Sequence, residues 1–273
     1  MKHLYFLLLV LLVCLTTLGF SQNNDCKITN NAFGPEEKLT YIVSYSISAL
    51  WTDVVEVVLN IEEKEIFKKP VYHLIATGIT YPSYDVYFKV RDRYQSWVDP
   101  VSVKPIAFKR DVSEGGYYIK IKYLFNRKKK VANFSHEKTN KSLTVNEIPI
   151  TSCTFDLVSM VYYARNLNYA NYRVNDIIPI TILLDEKLTE IHLKYKGKEK
   201  LTLRKIGEFN CIKFGVYLKD SEIFEEEEDL EVWFTDDKNR IPLFIESPIY
   251  VGSIQVRLKS MKGMKNKVTS KIK

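Results

Sequence analysis

Glycine, histidine and cysteine are scarce in this sequence. Among 273 residues there are 10 Gly, 4 His and 4 Cys. None of the spacings H-E-x-x-H, G-x-S-x-G, G-x-G-x-x-G, C-x-x-C or the Walker A loop occurs. These absences argue against zinc-dependent, nucleotide-dependent and serine-nucleophile chemistry. The sequence therefore assigns no catalytic residue, no metal ligand and no cofactor, and the expectation leans towards a protein that is not an enzyme.

Long hydrophobic runs are also missing, apart from one at the N-terminus. Lys2 precedes the apolar run Leu4–Leu18, and small residues follow it, which is the pattern of a secretory signal peptide over residues 1–21. A membrane-spanning helix needs about 20 apolar residues. We therefore expect an exported protein, periplasmic or associated with the outer envelope, whose mature chain starts near Gln22 and has no transmembrane span.

The positive charge is confined to the two ends of the chain. The formal net charge is +7. Lys2 and the six lysines of residues 259–273 account for all of it, so the body of the protein is close to neutral. No nucleic-acid partner is expected for such a body. Residues 259–273 are predicted to form a lysine-rich flexible tail, with attachment to anionic envelope material as an open alternative.

Three cysteines remain once Cys14 leaves with the predicted signal peptide. An odd number in an exported protein allows at most one intramolecular disulfide. Cys26–Cys153 is the preferred pair. Cys211 follows Phe209 in an apolar strand pattern and is expected to be a buried, inert thiol.

Alternation of apolar and polar residues dominates the rest of the chain. It recurs over residues 39–47, 55–61, 119–125, 191–195 and 254–258, and each run predicts a strand with one buried face. The 18 Tyr and 14 Phe favour strands as well. Residues 22–258 are therefore predicted to be a single, mainly β domain. Its long antiparallel meander should curl into a large open or closed barrel.

One segment departs from this alternation. Leu157, Met160, Val161 and Ala164 follow helical spacing, and Thr154 is a suitable capping residue. We predict a helix at about Phe155–Leu167, apolar on much of its circumference and therefore packed on or inside the barrel. The polar stretch 166–176 should join the two halves of the domain.

The segment Tyr81–Asp99 is the densest mixture of aromatic and charged side chains. Read as a ligand site, its aromatic residues would line a cavity and its arginines would hold an anionic group. Read as structure, the aromatics pack in the core and the charges pair across strands. The candidate ligand-binding residues are Trp51, Tyr84, Phe88, Arg91, Arg93 and Trp97, and the four aromatic ones are expected in the interior.

Several carboxylates lie close together in the same part of the sequence, namely Asp92, Asp99, Asp111 and Glu114. Two carboxylates at a suitable separation can hydrolyse glycosides. A hydrolase that uses Asp92, Asp99 or Asp111 is therefore kept as a lesser alternative.

Six stretches resemble an exported protein family of unknown function, DUF3108, in the form found in Bacteroidota-type Gram-negative bacteria. They span almost all of the predicted mature chain: 32–41, 81–99, 105–117, 156–166, 232–242 and 252–254. Two turns depart from the family pattern, at Gly34-Pro35-Glu36 and near Trp51, where a glycine is missing. The resemblance implies an exported, mainly β envelope protein and brings no catalytic residues with it.

The leading hypothesis is non-enzymatic binding or carrying of an apolar or amphipathic ligand, such as a lipid or an envelope glycan intermediate. It is motivated by the aromatic excess, the apolar helix and the missing catalytic motifs. The alternative is a protein-interaction module for envelope assembly, which would use an exposed sheet edge or the lysine-rich tail.

Overall fold

The computed structural model describes residues 26–47, 50–139, 141–218, 230–248 and 252–272. The predicted signal peptide, 1–21, lies outside the described residues. Within those ranges, no helix is both long enough and apolar enough to cross a membrane.

The first half of the chain forms eight consecutive strands. Each pairs with the next in antiparallel fashion, as alternating sequences joined by short turns favour. The strands are β1 (Lys38–Ile47), β2 (Leu50–Ile66), β3 (Lys69–Thr80), β4 (Arg91–Val98), β5 (Pro105–Glu114), β6 (Tyr117–Asn126), β7 (Val131–Lys138) and β8 (Lys141–Pro149).

The second half returns to the same sheet. Its elements are β9 (Thr154–Phe155), α1 (Leu157–Ala164), a 3-10 turn (Tyr169–Asn171), β10 (Ile177–Leu184), β11 (Lys187–Leu203), β12 (Gly207–Leu218), β13 (Leu230–Thr235), β14 (Pro242–Pro248) and β15 (Ser253–Lys262). Strand β15 pairs with β1, so the sheet order runs from β8 down to β1 and then from β15 down to β9. All pairs are antiparallel except β9–β10. The predicted mainly β meander is confirmed, and in the described residues the sheet is open, with β8 and β9 as its edges.

The sheet rolls until its two halves touch. Tyr123 on β6 donates its hydroxyl to the carbonyl of Asp185, in the β10–β11 turn, at 3.0 Å. The Arg110 guanidinium lies 3.2 Å from the Asp185 carboxylate, and His136 lies 3.1 Å from Glu186 in the same turn. These contacts hold the β10–β11 turn against β5, β6 and β7, so the rolled sheet surrounds α1.

The helix is shorter than predicted, and its cap is different. The chain enters α1 through Asp156, whose carboxylate accepts hydrogen bonds from the backbone N–H groups of Val158 and Ser159. Thr154, the predicted cap, instead belongs to β9 with Phe155. Asp156 and Ser159 together form a capping box, which sets the start of the helix at Leu157.

The segment predicted to be a flexible tail, 259–273, has a defined place among the described residues. Its first residues belong to β15. Ser270 is buried and donates its hydroxyl to the Asp237 carboxylate at 2.7 Å. Met264 and Val268 pack on a second apolar cluster that includes Phe209. Lysine content alone suggested a solvated end, but the apolar and hydroxyl side chains between the lysines hold the segment in place.

The three cysteines of the described residues form one bridge and one free thiol. Cys26 and Cys153 form a disulfide, with Cα atoms 5.5 Å apart. Cys211 is free and fully buried, and burial raises the pKa of its thiol to about 12. Such a thiol is unreactive at physiological pH.

Candidate functional site

An apolar cavity of about 330 Å³ lies between α1 and the second half of the sheet. This volume is within the range of about 300–1,000 Å³ that is usual for small-molecule sites. Every side chain lining it is apolar: Leu157, Met160, Val161, Ala164, Ile182, Leu184, Ile191, Leu193, Val216, Leu230, Val232, Phe234, Pro242 and Ile245. An uncharged, flexible hydrocarbon is the chemistry that such a lining accepts.

One face of α1 forms the inner wall of this cavity. Leu157, Met160, Val161 and Ala164 occupy positions i, i+3, i+4 and i+7, so they form one stripe along the helix. Val158 and Tyr162, away from this stripe, are buried as well, and the Tyr162 ring lies 4.7 Å from that of Phe33. The helix also contacts β3 and β4 of the N-terminal half, which explains why it is apolar on more than one side.

Alternate residues of three strands form the facing wall. Ile182 and Leu184 come from β10, Ile191 and Leu193 from β11, and Val232 and Phe234 from β13. Side chains two residues apart point to the same side of a strand. The same alternation that predicted buried strand faces therefore builds a continuous hydrocarbon surface opposite the helix.

A buried carboxylate fixes the N-terminal end of the helix. Besides capping α1, Asp156 accepts a hydrogen bond of 2.6 Å from the hydroxyl of Ser96 on β4. Burial raises the pKa of Asp156 to about 6, although the hydrogen bonds from Ser96 and Ser159 oppose this shift. The start of the cavity wall is thereby tied to the N-terminal half of the sheet.

A buried ion pair fixes the other end. Arg165, which follows α1, makes two hydrogen bonds to the Glu37 carboxylate at 2.6 and 2.8 Å, and both side chains are 1% exposed. Its Nε donates to the carbonyl of Asn239 at 3.0 Å. The guanidinium also lies 5.3 Å from the ring centres of Phe33 and Tyr162. Both helix ends are held, so the cavity is a preformed feature of the fold.

A more polar space of about 420 Å³ adjoins the cavity and shares Leu184 with it. Alternate residues of a strand lie on the same side. On β11 this series is Leu193, Ile191, Thr189 and Lys187, so one side of the strand changes from apolar to polar towards its first residue. Lys187 and Thr189 line the polar space with His136 and Lys138 of β7, among others. The same space is also lined by Asp185 and Glu186, so it is polar and carries charges of both signs. An apolar compartment beside a polar one suits a molecule with a hydrocarbon chain and a polar head.

The six residues predicted to bind a ligand do not converge, and none of them lines the apolar cavity. Trp51 is 39% exposed at the start of β2, and Phe88 is 54% exposed in the β3–β4 loop. Tyr84 lies half-buried in that loop. The expected interior position therefore does not hold for Trp51 or Phe88, because both lie at the ends of strands rather than between the sheet and the helix.

The two arginines of this set have carboxylate neighbours in the protein. Arg91 makes two hydrogen bonds to Asp85, at 3.0 and 2.5 Å, and this pairing lowers the Asp85 pKa to about 2. Arg93 is exposed and lies opposite Asp111 across the β4–β5 pair. The structural alternative, with aromatics in the core and charges paired across strands, does not describe this segment either: Arg91 pairs with Asp85 of the adjoining loop, and Phe88 is exposed.

Trp97 lies on the outer side of β4. Its neighbours Ser96 and Val98 are fully buried on the inner side, so alternation turns Trp97 outward. It stacks on His73 with ring centres 4.4 Å apart. Trp97 borders an outer groove of about 410 Å³ that also contains Leu124 and Val145. Lysine, asparagine and serine side chains share that groove, which makes it less apolar than the cavity beside α1.

The carboxylates proposed for a hydrolase are dispersed. Asp99 accepts hydrogen bonds from the turn residue Ser102, and Asp111 pairs with Lys109 at 2.7 Å. Asp92 does lie near Glu114, and burial raises the Asp92 pKa to about 6, with the negative charge of Glu114 acting in the same direction. Neither Asp92 nor Glu114 lines any of the three cavities above. Among the described residues no group of His, Cys, Asp and Glu could hold a metal ion.

The family model for "Protein of unknown function (DUF3108)" matches residues 40–259. The chain belongs to the DUF3108 family. No curated protein matches the sequence of this DUF3108 protein.

Comparison with solved structures finds similar chains at low sequence identity. The beta-barrel-like protein of domain of unknown function DUF1849 from Brucella abortus is 7% identical and gives a TM-score of 0.53, covering 86% of this chain and 98% of that one. A Parabacteroides distasonis protein, provisionally named a lipoprotein, is 11% identical with a TM-score of 0.35, covering 86% and 99%. The Brucella structure supports the barrel-like fold of the DUF3108 chain.

Proposed function

We propose that this DUF3108 protein binds the hydrocarbon chain of an amphipathic ligand, such as a lipid, in the cavity between α1 and strands β10, β11 and β13. The observation that carries the proposal is the wholly apolar lining of a preformed cavity of about 330 Å³. The polar space next to Leu184 supports an amphipathic rather than a purely apolar ligand. No chemical step is part of this proposal.

We further propose that the protein acts after export, in the periplasm or at the outer envelope. The signal-peptide pattern of residues 1–21 supports export, and so does the Cys26–Cys153 disulfide, because disulfides persist in oxidising compartments. N-terminal sequencing of the protein from its own host should find a mature chain that starts near Gln22. A retained Met1 would contradict export through this signal.

Filling the cavity tests the ligand proposal. Val161→Trp places an indole in the cavity, and Val145→Trp makes the same change on the exposed side of β8. Native mass spectrometry with palmitate should show one bound molecule per chain in the wild type and in Val145→Trp. We expect Val161→Trp to bind at least about tenfold more weakly, which corresponds to about 1.4 kcal/mol.

A folding control keeps this test decisive. Overpacking can cost about 1–3 kcal/mol, so thermal unfolding of both variants is measured first. If Val161→Trp does not fold, Met160→Phe adds less bulk to the same wall and replaces it. Equal palmitate binding by the wild type and a folded cavity-filling variant would contradict the proposal, as would no binding at all.

One observation supports protein interaction as a second candidate function. Strand β8 is an edge of the sheet, and its Leu143 and Val145 are 65% and 67% exposed. Exposed edge strands recruit further strands. An assembly formed through β8 should dissociate in Val145→Lys when followed by sedimentation velocity, whereas an unchanged sedimentation coefficient would contradict this candidate.

A further inference from the structure

Three consecutive apolar residues project from the loop between β3 and β4. Val86, Tyr87 and Phe88, here called the apolar tip, are 86%, 84% and 54% exposed. Single exposed apolar residues are ordinary on protein surfaces, but contiguous ones mark interaction sites. The ligand cavity does not involve the tip, so the proposed binding function leaves it unexplained.

Hydrogen bonds beneath the tip hold its backbone in place. The backbone N–H groups of Tyr87 and Phe88 both donate to the carbonyl of Tyr84 at 2.9 Å. Asp85, just before the tip, is bound by Arg91 and accepts a hydrogen bond of 2.5 Å from the Thr80 hydroxyl. The loop therefore presents its apolar side chains outward at a fixed position.

A second turn braces the tip from the side. The N–H of Gly115, between β5 and β6, donates to the carbonyl of Lys89 at 3.0 Å. Gly115 has φ +53°, and a Cβ at that position would lie 2.6 Å from the Phe88 ring. Any other residue at this position would strain the backbone and displace the Phe88 ring. Tyr117, which follows the turn, is 47% exposed and extends the apolar surface.

The apolar tip lies at the end of the sheet that carries the Leu184 side of the cavity. Antiparallel pairing runs without interruption from β3 through β1 and β15 to β10, so the β3–β4 and β10–β11 turns share one end. Lys89 is exposed beside the tip. At the same end, Lys138 and Lys187 line the polar space with Asp185 and Glu186, and those two carboxylates pair with Arg110 and His136.

We propose that the apolar tip inserts into the interface of an anionic lipid bilayer and turns the Leu184 end of the cavity towards the membrane. Apolar and tyrosine side chains followed by a lysine, as in Val86–Lys89, are chemistry that binds the interface of an anionic bilayer. A specific protein interface uses about 20–30 residues on each side, far more than this tip offers. This surface is independent of the ligand site and does not require that site to be correct.

Charge-matched variants test the membrane surface. Val86→Asp/Tyr87→Asp alters the tip, and Phe67→Asp/Val101→Asp alters exposed apolar residues (94% and 59% exposed) at the opposite end of the sheet. Co-sedimentation is measured with vesicles of phosphatidylcholine containing phosphatidylglycerol. We expect the tip variant to partition at least about tenfold more weakly, and the control within about twofold of the wild type.

Melting temperature, palmitate affinity and salt dependence serve as controls for the vesicle experiment. All four positions are exposed, so both variants should keep the wild-type melting temperature and the wild-type affinity for palmitate. High salt should weaken vesicle binding because it screens the lysines. The proposal is overturned if the wild type does not bind these vesicles, or if the control loses as much binding as the tip variant. Loss of palmitate binding alone would refute the ligand proposal and leave the membrane surface standing.

Discussion

The buried pair Glu37–Arg165 offers the sharpest test of how the cavity wall is held. Both side chains are 1% exposed, and the pair is bidentate. Removing one partner of such a pair leaves an uncompensated buried charge and typically costs about 3–5 kcal/mol. We therefore expect Glu37→Gln to lower the free energy of unfolding by about 3–5 kcal/mol. In a chain of this size, each kcal/mol shifts the melting temperature by about 2–4 °C.

The double variant separates the charge effect from packing. Glu37→Leu/Arg165→Met removes both charges, and a buried pair replaced by apolar groups is often neutral in stability. Here Arg165 also donates to the carbonyl of Asn239, which would lose its partner. An orphaned buried acceptor costs about 1–3 kcal/mol. The double variant should therefore lose less stability than the sum of Glu37→Leu and Arg165→Met measured singly.

An exposed pair with similar geometry provides the control. Arg257 contacts both carboxylate oxygens of Asp53 at 2.6 Å, but the two side chains are 34% and 46% exposed. Exposed pairs contribute about 0–1 kcal/mol, so Asp53→Asn should cost no more than that. Urea unfolding gives the free energies. If Glu37→Gln costs no more than Asp53→Asn, the assignment of Glu37–Arg165 as the fixed end of α1 is refuted.

Three further predictions concern stability. Burial raises the Asp156 pKa to about 6, so the contribution of Asp156 to the free energy of unfolding is fully present below about pH 4 and is lost as pH rises towards 6 and beyond. The difference in unfolding free energy between wild type and Asp156→Asn should show the same pH dependence. A pH-independent difference would contradict this prediction. Replacing Cys26 and Cys153 by serine opens a 127-residue separation and should cost about 2–5 kcal/mol, whereas unchanged urea unfolding would speak against the bridge. A stop codon after Lys262 removes hydrogen bonds to buried Asp237 and should cost at least about 1–3 kcal/mol, whereas a flexible tail would be lost without effect on the melting temperature.

Local patterns in the sequence predicted the strands and the stripe of α1. Alternation has a period of two wherever one face of a strand is buried, so β1 and β6 could be recognised from their own residues. The helical spacing of Leu157, Met160 and Val161 likewise marks the face that lines the cavity. The facing wall could not be assigned, because it comes from β10, β11 and β13, and only the sheet order brings them opposite the helix.

Pairings between distant residues were beyond the reach of sequence patterns. Glu37 and Arg165 are separated by 128 positions, and neither belongs to a recognisable motif. Trp97 was expected in the interior, but its place in β4 depends on which side of the strand faces α1, and Ser96 and Val98 take that side. The C-terminal segment was judged by its lysines, although Ser270 and its neighbours decide its packing.

Photo-crosslinking with a diazirine-bearing palmitate tests the central claim most directly. The account predicts that one molecule per chain is attached and that peptide mass spectrometry finds the label on α1 and on β13, the two walls of the cavity. It also predicts that unlabelled palmitate competes for this attachment. Label on the outer side of β4 to β8, or spread over the surface without competition, would contradict a ligand site beside the helix.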